Sequence, residues 1–139
     1  MPRIESGQNP ATGLTGLESR KRLKLAAIDE ETSAAILAGF EYAVQGETLH
    51  FSYDTFDQGN FTDAASAATL ATITQQEQSV TWNAYRKGGE LVRLDLNVAA
   101  FLDLFTNGAL AHKAAMMERG GARKAAVTAA TTLEEVERA

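Results

Sequence analysis

The feature that most constrains the fold of this chain is a pair of segments, residues 40–44 and 47–51, in which apolar and polar residues alternate. The two segments flank Gln45-Gly46, a dipeptide suited to a two-residue turn. Such a turn places Phe40 opposite Phe51. It also places Tyr42 opposite Leu49, so that all four side chains share one face. Turn chemistry and apolar pattern therefore predict the same β-hairpin.

A second hairpin is predicted over residues 80–94, around Lys87-Gly88-Gly89. A three-residue loop places Trp82 opposite Leu94, which again gives an apolar face. A two-residue glycine turn would place Trp82 opposite Asp95 instead. Packing therefore favours the longer loop.

Helices are predicted in much of the remaining chain, since alanine supplies 25 of the 139 residues. A capping box at residues 15–18 predicts a helix that runs to about Ala38, with Gly39 suited to the left-handed turn that ends it. Asn60 is expected to cap a short helix over residues 61–73.

A long helix is predicted after the second hairpin, capped by Asp95 or Asn97 and continuing to about Ala130. Gly108 and the Gly120-Gly121 pair weaken it, and Gly120 is a candidate position for a bend. A second capping box at residues 132–135 opens a last short helix. The fold class is therefore α+β: an N-terminal helix, two antiparallel β-hairpins that form a small sheet and are separated by a short helix, and a long C-terminal helix.

The predicted organisation is a flexible N-terminal arm, residues 1–14, followed by a single α+β domain, residues 15–139. The arm holds both prolines and few apolar residues. No apolar run approaches the roughly 20 residues of a membrane span, and no apolar signal core opens the chain. We therefore expect no membrane partner and a cytoplasmic location. The absence of cysteine excludes disulfides, thiolate metal sites and cysteine catalysis.

Charge is distributed unevenly along the chain, whose net charge is −5. Residues 25–85 carry nine acidic groups and no basic one. The four cations at Arg20, Lys21, Arg22 and Lys24 precede this acidic zone; they form either a solvated face or a contact for an anion or partner. The acidic bulk repels phosphate backbones, so no nucleic-acid partner is expected.

Asp54 and Asp57 are the one pair of carboxylates with an arrangement that suggests chemistry. With the aromatic residues around them, they could perform acid–base catalysis or hold a divalent cation. The alternative is that they bond their own backbone in a loop. His50 and His112 have no metal-ligand spacing. No catalytic residue, metal ligand or cofactor is assigned.

A partner contact is the other candidate site, because six of the ten aromatic residues lie within residues 40–61, inside the acidic zone. Exposed aromatic side chains with a charged rim suit a protein partner. If they are buried, the segment is instead the densest part of the core. The candidate contact residues are Tyr53, Asp54, Phe56, Asp57 and Phe61.

Four segments match, in order, a known sequence pattern: residues 38–42, residues 51–61, Val80-Thr81-Trp82, and residues 129–136. Over residues 17–139 the chain resembles an uncharacterised domain family of tailed bacteriophages and prophages. That domain often forms the C-terminal part of tail-fibre or tail-fibre-assembly proteins. The resemblance implies a role in virion tail structure or assembly, and it brings no active-site residues.

The expected function is that of a non-enzymatic phage or prophage tail-associated structural or assembly protein that acts through protein–protein contacts. Its partners would be phage tail proteins or a second copy of the chain, with the long C-terminal helix as a surface for self-association. Its place would be the host bacterial cytoplasm during assembly, or the virion tail. The alternative is a small cation-dependent enzyme that uses Asp54 and Asp57.

Overall fold

A computed structural model describes residues 15–139, which form an α+β fold with one antiparallel sheet of strand order β1-β2-β3-β4. The predicted fold class is confirmed; the predicted arm, residues 1–14, lies outside the described residues. The elements, in chain order, are α1 (Gly16–Leu37), β1 (Phe40–Val44), β2 (Glu47–Phe51), α2 (Thr55–Ile73), β3 (Ser79–Tyr85), β4 (Leu91–Asn97), α3 (Val98–Asp103), a π-helical segment (Leu104–Leu110), α4 (Ala111–Ala129) and α5 (Leu133–Arg138).

The first hairpin has the predicted register. Phe40 pairs with Phe51, and Tyr42 pairs with Leu49. Gly46, in the turn, has φ 83°, a left-handed conformation that glycine adopts without steric cost. The prediction of a hairpin from agreement between turn and pattern is confirmed.

The second hairpin also has the predicted register, with Trp82 opposite Leu94. The Arg86 N–H donates to the Glu90 oxygen at 2.8 Å and closes a loop of three residues. This hydrogen bond and the observed register confirm the three-residue loop. The loop keeps Trp82 and Leu94 on one face of the sheet.

The two hairpins meet at a single pair, His50 with Tyr85. The chain leaves the sheet after Phe51 and enters α2 at Thr55, so β2 does not follow β3 along its length. Residues 79–83 of β3 consequently have β4 on one side only, within the part of the chain that the structure describes.

The start of α2 differs from the sequence prediction. The helix begins at Thr55 with Asp54 as its N-cap, not at Phe61 with Asn60 as its cap. Asp54 and Asp57 form a reciprocal capping box, which satisfies two backbone N–H groups at this earlier position. Residues 55–60, which the sequence prediction leaves outside the helix, therefore form its first turns.

The other helix boundaries largely follow the sequence. The Thr15 hydroxyl accepts the Glu18 N–H at 3.1 Å before α1, and Gly39 has φ 88° just after its end. Asn97 caps α3 by accepting the Ala100 N–H at 2.8 Å. The long helical region is interrupted by the π-helical segment, which contains Gly108, and α4 is assigned as one α-helix through Gly120.

Gly108 lies within the π-helical segment, where the helical region approaches β1 closely. A Cβ at Gly108 would lie 2.8 Å from Cε2 of Phe40. The absence of a side chain at Gly108 therefore permits this close approach of helix and strand.

The described residues form two compact units whose boundaries fall within α1 and α4. The sheet unit is residues 34–115, and the helical unit is residues 15–33 with 116–139. The single domain expected from the sequence stays a prediction. None of the helices in residues 15–139 is long and apolar enough to cross a bilayer.

Aromatic packing forms the core of the sheet unit. Phe61 is fully buried, and its ring centroid lies 4.5 Å from that of Trp82 and 6.0 Å from those of Phe40 and Phe101. One side chain of α2 therefore contacts both hairpins and α3, which holds the hairpins together where backbone pairing does not.

The helical unit packs around Ile28, Val127 and Val136, all fully buried. The two helices α4 and α1 approach closely at Gly120, because a Cβ there would lie 2.3 Å from the Thr32 Oγ1. Gly121 has nothing within 4 Å of the same position. The two adjacent glycines therefore have different roles.

We predict opposite effects for alanine at these glycines. Gly120→Ala should lower the free energy of unfolding by about 1–3 kcal/mol, because the new methyl group overpacks against Thr32. Gly121→Ala should raise it by about 0.5–1 kcal/mol through helix propensity alone. Urea denaturation of both variants measures the difference, and equal effects would contradict this packing.

Candidate functional site

The start of α2 is held by the two carboxylates that the sequence singled out. The Asp54 Oδ1 accepts the Asp57 N–H at 2.8 Å, and the Asp57 Oδ2 accepts the Asp54 N–H at 3.1 Å. Burial raises the pKa of the Asp57 carboxyl, and the nearby Asp54 carboxyl adds to this increase. Asp54 and Asp57 have the three-residue spacing of a capping box. Their hydrogen bonds to backbone N–H groups therefore account for the positions of both carboxylates.

The two histidines have local partners as well. The His50 Nδ1 lies 2.8 Å from the Glu41 Oε1, across the first hairpin. The His112 Nε2 lies 3.1 Å from the Ile36 backbone oxygen. Within residues 15–139, no three His, Cys, Asp or Glu side chains are grouped so that they could hold a metal ion.

The five candidate contact residues divide between core and surface. Tyr53 and Phe61 are buried among the other aromatic rings, so these two belong to the core and present no side chain to a partner. Phe56 is 76% exposed. Asp54 is exposed, and Asp57 is half-buried. The part of the candidate contact that reaches the surface is therefore Asp54, Phe56 and Asp57.

A groove beside α2 brings Phe56 and Asp57 together with residues that the sequence did not suggest. Its volume is about 610 Å³. One wall comes from Ser52 and the first turns of α2, and the other from β3 and its neighbour β4. The lining side chains are those of Ser52, Phe56, Asp57, Asn60, Asp63, Ala64, Thr81, Trp82, Asn83, Tyr85 and Arg93.

Negative charge is concentrated on the α2 side of this groove. Asp57 and Asp63 both line it, and neither takes part in an ion pair within residues 15–139. Arg93 lies on the strand side, where it donates to the Asn83 Oδ1 at 3.3 Å. The groove therefore combines an acidic wall, exposed aromatic area and the backbone of a strand edge.

The strand side of the groove was missed by sequence reasoning. Thr81, Asn83 and Arg93 alternate with the apolar residues of the second hairpin, a pattern that indicates only a solvated sheet face. In the structure β2 has five residues and β3 has seven, but the sequence does not show that these two strands are neighbours, so no sequence signal marks the uncovered edge.

The basic cluster at the start of α1 forms contacts within the helical unit. Arg20 bonds the Glu137 carboxylate, Lys21 donates to the Thr128 backbone oxygen at 3.0 Å, and Lys24 donates to the Glu137 backbone oxygen at 3.1 Å. Three of the four cations therefore hold α1 against the C-terminal segment. Arg22, the fourth, is exposed.

The family model for a domain of unknown function, DUF4376, matches residues 19–139. The chain belongs to this family. The match includes the whole sheet unit, and with it the groove beside α2. Searches of curated proteins and of solved structures found no match.

The capping role of Asp54 predicts a stability effect. Asp54→Ala should lower the free energy of unfolding by about 1 kcal/mol, because it leaves the Asp57 N–H without its acceptor. Asp63→Ala, at an exposed position in the same helix, is the control and should change it by less than about 0.5 kcal/mol. Similar losses in urea denaturation would show that Asp54 has no special role in the cap.

The ion pairs of the helical unit predict a loss of stability in acid. A hydrogen bond from Arg20 lowers the pKa of Glu137, and one from Arg123 lowers the pKa of Glu31, from an ordinary value of 4.5. A carboxyl with a lowered folded-state pKa stabilises the fold above its unfolded pKa. This contribution is lost as the pH falls through the lower folded value.

The free energy of unfolding should therefore decrease as the pH falls below about 4.5. Glu137→Gln should reduce the size of this decrease, because the variant has no carboxyl to protonate at that position. Glu118→Gln, at an exposed position of α4, is the control. An identical pH profile for Glu137→Gln and the parent would contradict the role of the Arg20 contact.

Proposed function

We propose that this chain is a non-enzymatic structural or assembly protein of a phage or prophage tail, and that it acts through protein–protein contacts. One observation carries the contact role: large apolar side chains lie exposed on α2. Phe56 is 76% exposed, Leu70 is 61% exposed and Ile73 is 72% exposed. Leu70 and Ile73 are three residues apart and therefore neighbours on the helix surface, and adjacent exposed apolar side chains are typical of interaction surfaces.

These side chains lie on the side of α2 that faces away from the core. Phe56, Asp63 and Leu70 recur every seven residues, which is about two helical turns. The buried residues of α2 are Phe61, Ala65, Ala68 and Ala71, on the opposite side. We call Phe56, Asp63, Leu70 and Ile73 the outer face of α2.

The tail assignment is supported by the resemblance of residues 17–139 to a domain family of tailed bacteriophages and prophages. The partner in this proposal is a phage tail protein or a second copy of the chain. The place of action is the host bacterial cytoplasm during assembly, or the virion tail.

The capping box supports the non-enzymatic proposal over the cation-dependent alternative. It gives a structural reason for both Asp54 and Asp57, whose carboxylate oxygens accept backbone N–H groups. Addition of Mg²⁺ or Ca²⁺ should therefore leave the melting temperature unchanged. A rise that Asp57→Asn abolishes would favour the enzyme instead.

Co-purification tests the proposal directly. The tagged chain is expressed together with the tail proteins encoded beside it, and we expect it to recover at least one of them. Leu70→Lys with Ile73→Lys should lower that recovery at least tenfold, because both changes place charge on the outer face of α2. Ala125→Lys with Ala126→Lys adds the same charge at exposed positions of α4 and should leave recovery unchanged.

Two results would overturn parts of the proposal. A strictly monomeric chain that recovers no tail protein would overturn the tail function. Equal recovery by the two double-lysine variants would remove the outer face of α2 as the contact.

A further inference from the structure

The edge of β3 beside α2 has backbone groups that the described sheet does not use. The Arg86 N–H bonds the Glu90 oxygen, and the register between β3 and β4 is continuous from Tyr85 back to Ser79. In an antiparallel pair, residues that exchange hydrogen bonds with the partner strand alternate with residues that do not. Even-numbered residues of β3 therefore bond β4.

The odd-numbered residues of β3 direct their N–H and C=O groups toward the other side. On that side, Tyr85 pairs with His50, and this is the one pair between β2 and β3. Thr81 and Asn83 also line the groove. Within residues 15–139, no backbone hydrogen bond connects their outward groups to another strand. They form a short strand edge available for pairing.

The groove has the arrangement needed for an added strand. It is bounded by β3 on one side and by the first turns of α2 on the other, with Trp82 also in its lining. An extended segment that pairs with a sheet edge gains main-chain hydrogen bonds from the edge. It gains selectivity from the surfaces that its alternate side chains contact.

Charge indicates which side chains such a segment would carry. Asp57 and Asp63 line the α2 side, where Phe56 adds an exposed aromatic ring. A lysine or arginine that faces this wall would meet two carboxylates and an aromatic ring that attracts cations. Arg93 lies on the strand side and disfavours a basic side chain there.

The same charges disfavour a second copy of the chain as the occupant. Residues 25–85 hold no basic residue, so two copies paired through β3 would bring acidic walls together. A partner of opposite charge meets no such repulsion.

We propose that the groove between α2 and residues 79–83 of β3 binds an extended basic segment of a partner protein by strand addition. This inference rests on the proposed function only in that the chain acts through protein contacts. It specifies the mode of contact and the chemistry of the partner segment.

Blocked synthetic octapeptides test the proposal. The probe alternates threonine and lysine, and a second peptide has glutamate at each lysine position. Trp82 is the only tryptophan of the chain and lines the groove, so its fluorescence reports binding. We expect the basic peptide to saturate the signal and the acidic peptide to bind at least tenfold more weakly.

Two N-methylated forms of the basic peptide test the backbone pairing. One is methylated at every threonine nitrogen and the other at every lysine nitrogen. Strand addition uses the N–H groups of alternate residues, so one form should lose binding at least tenfold and the other should retain it. Full retention of binding by both forms would overturn strand addition.

Variants of the full chain locate the site. Thr81→Pro removes an outward N–H that β4 does not use, at an edge position that tolerates proline, and should weaken the basic peptide at least tenfold. Asp63→Lys should do the same, whereas Glu118→Lys makes the same charge change on α4 and should leave binding unchanged. If Thr81→Pro does not fold, the Asp63 and Glu118 pair decides the question. Equal affinities for that pair would overturn the assignment.

These outcomes separate this inference from the tail function. Recovery of tail proteins together with no binding of the basic peptide would overturn the groove proposal and leave the tail function standing. Saturable, methylation-sensitive peptide binding without recovery of a tail protein would support the groove proposal and overturn the tail function. Equal affinity for the basic and acidic peptides would overturn the charge preference.

Discussion

Phe61 is the side chain on which the sheet unit depends. The two hairpins share one backbone pair, His50 with Tyr85, so hydrogen bonds alone do not hold them as one sheet. Aromatic contacts of this kind each contribute about 0.5–1.5 kcal/mol beyond the area that they bury. Packing around α2 therefore holds the hairpins together, through ring contacts of Phe61 with Phe40, Tyr53, Trp82, Phe101 and Phe105.

The same arrangement leaves part of β3 without a neighbour. The chain leaves the sheet after Phe51 and enters α2, which carries Phe61 into the core. It therefore does not pair with β3 beyond Tyr85, and the outward backbone N–H and C=O groups of Thr81 and Asn83 have no strand beside them within residues 15–139. Open strand edges promote aggregation unless charge or cover protects them. The carboxylates of Asp57 and Asp63 beside this edge oppose pairing between copies of the chain. They also leave the groove attractive to a basic partner, which gives the acidic zone of the sequence a specific physical consequence.

Local sequence rules predicted the hairpins and most helix ends, because each was decided within a few residues. The glycine turn at Gln45-Gly46 and the alternation around it depend on no distant contact. The start of α2 required a choice between two possible caps. Asn60 is a good cap in isolation, but the reciprocal capping box of Asp54 and Asp57 satisfies two backbone N–H groups and brings six more residues into the helix. The groove could not be predicted, because its walls come from α2 and β3, and no sequence pattern shows that β2 ends before it covers β3.

Amide hydrogen exchange along β3 tests the central claim, the open strand edge, most directly. Val80, Trp82 and Ala84 should exchange slowly, because their N–H groups bond β4. Thr81 and Asn83 should exchange close to the rate of a solvent-exposed peptide, and addition of the basic peptide should slow them. Slow exchange at Thr81 and Asn83 in the chain alone, equal to that of Trp82, would mean that the edge is already covered and would contradict the account.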